Sequence, residues 1–190
     1  ARGAEVLMIT TDDNRDDLLE LVAEAARFNE ECSRVVAAGP VEIIDYGGNV
    51  VPQIVGRENF KTYYMPSYET VCGILQPAGK QVGCHYDADN TTYMDLIAQT
   101  PLDFIEAYDP GVSPDVDKAI AAFGDKALWL NWPSPWHCHT EEEIREDTKK
   151  LIRQAGGFPK FLIGVTEDPP IDRWSEIFNA IKDGIDQSKE

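Results

Sequence analysis

Short β-type runs alternate with helical runs along most of this chain, and this alternation limits the folds that it can form. The β-type runs are mostly apolar on both faces, as expected for strands that helices cover. The strand candidates are Glu5–Thr10, Val41–Tyr46, Gln81–Tyr86, Leu102–Tyr108, Ala127–Asn131 and Phe161–Val165. A β-α-β-α succession predicts a parallel α/β sheet, either open and doubly wound or closed as a barrel.

The helical runs have recognisable boundaries. Asp16–Ala37 repeats apolar residues at helical spacing and ends at a Gly-Pro stop signal. A capping box at Thr140 opens a helix that runs to Gly156. The last helix is predicted to begin near Asp172. Its apolar face is predicted to consist of Trp174, Ile177, Phe178 and Ile181.

Composition and charge exclude several classes of partner. The 190 residues are expected to form a single α/β domain, 1–190, with a net charge of −17. That charge repels nucleic acids and anionic membrane surfaces. No apolar run approaches the ~20 residues that cross a bilayer. The four cysteines form no CxxC pair, which is typical of a reducing compartment. We therefore expect a soluble cytoplasmic protein.

Polar residues follow the predicted strands, where the carboxyl ends of a parallel sheet carry the functional site in both architectures. These residues are Asn49, Asp87, Asp109, Asn131 and Glu167. No glycine-rich phosphate loop follows any of the predicted strands, which disfavours a nucleotide-binding sheet.

The stretch GCHYDAD, residues 83–89, concentrates a thiol, an imidazole and carboxylates at one strand end. Side chains alternate in a strand, so His85 and Asp87 point to one side while Cys84 and Tyr86 point to the other. The stretch suits a metal site or an acid–base pair. It equally suits a hydrogen-bonded His85 beside an Asp87 that caps the helix near 90–99. Cys84 is expected to pack as a small apolar residue.

Further candidates lie at the neighbouring strand ends. Glu106, Asp109 and Asp45 could each supply a general base. Asn131 could close the turn that leads into Pro133.

The loop Trp136-His137-Cys138-His139 either chelates a metal or lines a substrate pocket. In the second case Trp132 and Trp136 would form apolar walls of the pocket.

The order of these pieces resembles a known family. The loop DYGGN precedes GRENFKTYYMPSYETVCGILQPAGKQVGCHYD, and LDFIEAYDP, LWLNWPSP, TEEEI and FLIGVTEDPP follow. From about Asp16 onward this succession resembles the C-terminal part of the uroporphyrinogen decarboxylase superfamily, which includes corrinoid-dependent, zinc-containing methyltransferases. The resemblance implies a TIM-type (β/α)8 barrel that lacks its first strands. The chain would then be a fragment of the barrel, or a second copy or a partner chain would complete the barrel, or the fold would close differently.

The resemblance also implies a metal site. The methyltransferase branch has His-x-Cys at the position of His85-x-Asp87, with a further cysteine at the position of Glu167, and these residues bind zinc. Here His85, Asp87 and Glu167 would hold zinc or another divalent ion through a harder ligand set. The resemblance also implies that Asn131, at the family's Gly-Asn strand end, orients a substrate or a ligand side chain. With Glu106 as a candidate base, the predicted catalytic residues are His85, Asp87, Glu106 and Asn131.

The implied function is a metal-dependent methyltransferase or demethylase that acts on a methylated small molecule, with a corrinoid or a corrinoid protein as co-substrate. Two alternatives stay open. One is a decarboxylase-type lyase that uses His85 and an acidic partner as acid and base, and the other is a non-catalytic barrel subunit.

Overall fold

A computed structural model describes residues 15–48 and 50–189 of the chain, so the predicted strand Glu5–Thr10 and the loop residue Asn49 lie outside the described residues. The helices are α1 (Arg15–Ala37), α2 (Pro52–Val55), α3 (Arg57–Asn59), α4 (Met65–Leu75), α5 (Met94–Ala98), α6 (Val116–Phe123), α7 (Glu141–Ala155) and α8 (Trp174–Gln187). A π-helical turn at Phe60–Tyr64 leads into α4, and 3-10 turns cover Gln76–Ala78 and Ser134–Cys138. The strands are β1 (Ile43–Asp45), β2 (Gln81–His85), β3 (Phe104–Tyr108), β4 (Ala127–Asn131) and β5 (Phe161–Gly164).

The described strands form one five-stranded sheet in the order β1-β2-β3-β4-β5, and all of its pairs are parallel. A doubly wound sheet reverses its strand order at a switch point, so the sequential order excludes that alternative for these strands. Right-handed crossovers between sequential neighbours place the helices on one face, as in a (β/α)8 barrel. Because β1 and β5 are edges among the described strands, the parallel α/β sheet is confirmed while the described sheet itself is open.

The two faces of the sheet differ. The helix-covered face supplies the strand residues of the core, namely Val82, Cys84, Ile105, Tyr108, Leu128 and Leu130. The opposite side, called the open face below, carries Phe104 and Trp129, whose ring centroids are 6.4 Å apart. Ile43 and Leu162 lie at its two edges and are 61% and 51% exposed. In the described part of the chain, helices thus cover one face only, and the candidate site residues lie where the open face meets the carboxyl ends of the strands.

The predicted capping box is confirmed. The Thr140 side chain accepts a hydrogen bond from the Glu143 amide, the Glu143 carboxylate accepts one from the Thr140 amide, and α7 ends at a left-handed Gly156. The predicted apolar face of α8 is only partly buried. Ile177 and Ile181 are buried, whereas Trp174 and Phe178 are 53% and 43% exposed. The cause is geometric, since Trp174 and Phe178 lie about 60° and 100° around the helix from the buried Ile177, toward the edge of the side that packs on α7.

Lysine side chains tie the amino ends of neighbouring strands together. Lys80, directly before β2, donates to the Gly39 carbonyl in front of β1 at 2.6 Å. Lys126, directly before β4, donates to carbonyls in front of β3, and Lys160, directly before β5, donates to the Asp125 carbonyl in front of β4. Each ammonium therefore joins its own strand to the preceding one and supports the sequential order.

Lys80→Met is expected to destabilise the fold by about 1–3 kcal/mol, because it removes a charge-assisted hydrogen bond from a site that is only 7% exposed. Lys160→Met is the matched control, since the exposed Lys160 makes the same type of contact where water can replace it. Urea unfolding measures both changes. Equal losses in the two variants would contradict the role given to burial.

Candidate active site at the carboxyl end of the sheet

His85 ends β2 at the centre of the candidate site. Cys84 and Tyr86, its neighbours in the chain, are fully buried in the core, while the side chains of His85 and Asp87 are 26% and 32% exposed. The predicted alternation of faces is therefore confirmed. The Cys84 thiol lies 3.4 Å from the Tyr68 hydroxyl, and its burial raises its pKa to about 11, so it packs as expected and is not a reactive thiolate.

Both ring nitrogens of His85 face carboxylates. Nδ1 lies 2.5 Å from Oε2 of Glu106, and Nε2 lies 3.3 Å from Oδ2 of Asp87. Glu106 is the register partner of His85 on β3 and is only 8% exposed. Burial acts to lower the pKa of His85, but the hydrogen bond and charge of Glu106, together with the charge of Asp87, outweigh it and raise this pKa.

Asp45 at the end of β1 joins this group. Asp45, His85 and Glu106 each offer a ligand atom, and these atoms lie within 4.8 Å of one another. Burial and the charge of Glu106 raise the pKa of Asp45, against the opposing effect of His85. Among the described residues no lysine or arginine forms an ion pair with these carboxylates. The site is thus rich in negative charge and suits a cation.

Asp109 and Glu167 form the next part of the same edge. Burial raises the pKa of Asp109, a hydrogen bond from the Gly111 amide opposes this, and the charges of Asp87 and Glu167 raise it further. Glu167 is exposed. It is not a member of the compact group around His85 and Glu106, so its predicted role as a metal ligand stays a prediction.

Asn131 orders the loop that carries Glu167. Its side chain is 2% exposed, and its oxygen accepts hydrogen bonds from the amide and hydroxyl of Thr166 at 3.2 and 2.5 Å. The contact fits the structural role of closing a turn, while a role for Asn131 in orienting a substrate stays a prediction.

The capping role considered for Asp87 is wrong, because α5 begins only at Met94, after Tyr93. A tight turn lies between, in which Asp89 accepts a hydrogen bond from the Thr91 amide. The Asp87 carboxylate contacts the His85 ring instead of a helix end.

The loop at residues 136–139 does not assemble as a metal site in the described part of the chain. His137 is buried, Cys138 is exposed, and Nδ1 of His139 lies 2.8 Å from a carboxylate oxygen of Asp147. Trp132 is fully buried under Trp136, so it cannot line a pocket.

Sequence reasoning missed how tightly Asp45 and Glu106 converge on His85. Both were identified only as separate candidate bases. Their common position at the last residues of adjacent strands was the available signal, since the ends of parallel strands meet at one edge. The register that places Glu106 beside His85 could not be read from spacing.

Comparisons with known proteins bear on the fold. No family model matches the chain, and no curated protein matches its sequence. A solved methyltransferase from Methanosarcina mazei superposes with a TM-score of 0.74 at 12% identity, covering 99% of this chain and 54% of that one. The fold resembles that of a methyltransferase. The chain spans about half the length of this neighbour.

At that level of identity the likeness concerns the fold alone, and the predicted place in the uroporphyrinogen decarboxylase superfamily stays a prediction. In the described part of the chain, no helix combines the length and the apolar character needed to cross a membrane.

Proposed function

We propose that this chain is a methyltransferase-like protein that holds a divalent cation at His85. One observation carries the proposal: an imidazole lies between carboxylates at the carboxyl end of a parallel sheet whose fold resembles a methyltransferase. The carboxyl end is where parallel α/β folds place their chemistry. The chain would then be the C-terminal portion of a barrel, as a single domain over residues 1–190.

The donor set fits zinc or another divalent ion. The 3.3 Å between His85 Nε2 and Asp87 Oδ2 is about the spacing of two ligands on one tetrahedral zinc with bonds of about 2.0–2.1 Å. The Nδ1–H donates to Glu106, as the second nitrogen of a metal-bound histidine usually does. We therefore assign His85 and Asp87 as ligands, with Glu167 as the further ligand that the resemblance implies.

A bound ion would supply Lewis acidity and would deprotonate a methyl acceptor such as a thiol. The side chains of the chain itself prepare this chemistry. Glu106 fixes the tautomer of His85, so that Nε2 carries the lone pair. Asp87 supplies negative charge beside that lone pair, and Asp45 and Asp109 add to the field. The methyl donor would be a methylated small molecule or a corrinoid, free or carried by a partner protein.

A second candidate is a metal-independent lyase. The short contact between His85 and Glu106 favours it, because a carboxylate that holds an imidazole and raises its pKa also builds an acid–base pair. Dependence on a metal separates the two candidates.

Methylcobalamin mixed with a panel of small thiols tests the proposal, and loss of the methylcobalamin absorbance reports transfer. We expect transfer with the zinc-loaded protein, loss of transfer after chelation, and recovery when zinc is added back. Transfer that persists without metal would contradict the metal-dependent mechanism. Failure to accelerate transfer to any thiol would contradict this choice of donor and acceptor.

A further inference from the structure

Strand β3 contains a backbone irregularity next to the site. Ala107 has a φ of +55° and is the only non-glycine residue with positive φ in the described part of the chain. Such a conformation is costly for a residue with a Cβ. Ala107 is fully buried, and its neighbours Glu106 and Tyr108 are 8% and 0% exposed, so the strain is held inside a packed strand.

The irregularity is a β-bulge that affects only one side of the strand. Pairing with β2 is regular up to His85 and Glu106, and the Tyr86 amide donates to the Glu106 carbonyl at 2.9 Å. Pairing with β4 shifts between Ile105 and Tyr108. Two residues of β3, Glu106 and Ala107, therefore face the single residue Trp129 of β4.

Packing of the core does not require the extra residue. Tyr108 lies on the helix face, where its ring packs edge-on against Phe123 and its hydroxyl donates to the Pro114 carbonyl at 2.6 Å. A strand without Ala107 would alternate in the same way, with Ile105 in the core, Glu106 on the open face and Tyr108 in the core. The bulge must therefore serve something other than the burial of these side chains.

We infer that the bulge at Ala107 positions Glu106 against His85. The extra residue releases Glu106 from regular pairing with β4 at the point where β2 still holds its backbone. The carboxylate is thereby turned toward Nδ1 of the imidazole, 2.5 Å away. Ala107 is thus a positioning residue for the site, and its connection to metal binding rests on the function proposed above.

Deletion of Ala107 and Ala107→Gly together test this inference. Glycine adopts positive φ without strain, so Ala107→Gly keeps the bulge, and deletion removes it. We expect Ala107→Gly to keep the zinc affinity and to raise Tm by about 2–4 °C. We expect the deletion variant to fold with an unchanged or higher Tm while its zinc affinity falls by about 10–100-fold, as when the hydrogen-bond partner of a ligand is lost.

A second readout needs no metal. The hydrogen-bonded Nδ1 proton of His85 can be followed by nuclear magnetic resonance, with His139, bound to Asp147 elsewhere, as an internal reference. The His85 signal should persist in Ala107→Gly and vanish in the deletion variant, while the His139 signal stays in both. This readout still decides the inference if the wild-type protein binds no zinc, a result that would overturn only the proposed function.

A deletion variant that keeps both the proton signal and the zinc affinity would overturn the inference, because the bulge would then be only an accommodated insertion. If the deletion variant does not fold, Ala107→Val decides. Valine keeps the chain length but resists positive φ. A weakened His85 signal at unchanged circular dichroism would support the positioning role, and an unchanged signal would overturn it.

Discussion

We expect His85→Ala to abolish stoichiometric zinc binding. No other single substitution is expected to lower the zinc content as much. In the proposed site the imidazole would be the only nitrogen ligand, and it contacts both Asp87 and Glu106. Its removal leaves carboxylates alone, which hold zinc poorly compared with mixed ligand sets. The loss of zinc affinity should exceed the ~10–100-fold loss that follows removal of a hydrogen-bond partner of a metal ligand. Plasma mass spectrometry of purified protein measures it.

His139→Ala is the matched control. His139 also contacts a carboxylate, that of Asp147, but it lies in the loop after β4 and is not a member of the compact group. Its replacement should leave the zinc content unchanged. Equal loss of zinc in both variants, or full zinc in His85→Ala, would place the metal elsewhere.

Two carboxylate variants then show which side of the imidazole faces the ion. If the ion binds at Nε2, Asp87→Asn removes a ligand and should lower the zinc affinity by at least ~10–100-fold. The exposed Asp45 would then contribute only through its charge, so Asp45→Asn should lower the zinc affinity by about two- to fivefold. The reverse order would place the ion on the Nδ1 side, among Asp45, His85 and Glu106, and would require Glu106 to exchange its hydrogen bond for a metal bond.

Much of this architecture follows from local pattern. The alternation of strands and helices predicted the parallel sheet, and Ala127–Asn131 matches β4 at both ends. The capping box at Thr140 defined the start of α7 because it satisfies amides at the helix end through neighbouring residues. Period-2 alternation placed His85 and Asp87 on the face opposite Cys84. These features depend on residues within a few positions of each other, so spacing alone reveals them.

The remaining features depend on contacts between strands. Glu106 meets His85 because of the register of β2 and β3, which no local pattern encodes. The bulge carries alanine where glycine would have been a signal, so it was not predicted. The exposed stripe of Trp174 and Phe178 likewise depends on which side of α8 contacts α7. The sequence therefore predicted the edge of the sheet at which the candidate site lies and the side chains that form it, but not which of these side chains contact each other.

Gly83→Ala is expected to destabilise the fold strongly, because Gly83 supports the open face directly below the site. A Cβ there would lie 2.1 Å from two ring carbons of Phe104. Neither residue can move away, since Gly83 is paired with Asp45 on one side and with Phe104 on the other, and Trp129 packs beyond the ring. Overpacking of this kind costs about 1–3 kcal/mol or more.

A displacement of the β2 backbone at Gly83 should also disturb the site, because Asp45 is the register partner of Gly83 and His85 follows two residues later. A lower zinc affinity in Gly83→Ala would accompany the lower urea midpoint. Gly73→Ala is the control: Gly73 lies inside α4 with no atom near its added Cβ, so alanine should stabilise the helix by about 0.5–1 kcal/mol.

The double variant Gly83→Ala/Phe104→Ala identifies the cause. If the clash with the ring dominates, removal of the ring makes room for the new methyl group, and the double variant loses less stability than the two single variants combined. A coupling of about 0.5–3 kcal/mol is expected for residues in direct contact. Strict additivity would mean that the alanine at position 83 acts through the backbone of β2 instead. The packing of the Phe104 ring on Gly83 would then not be what supports the site from below.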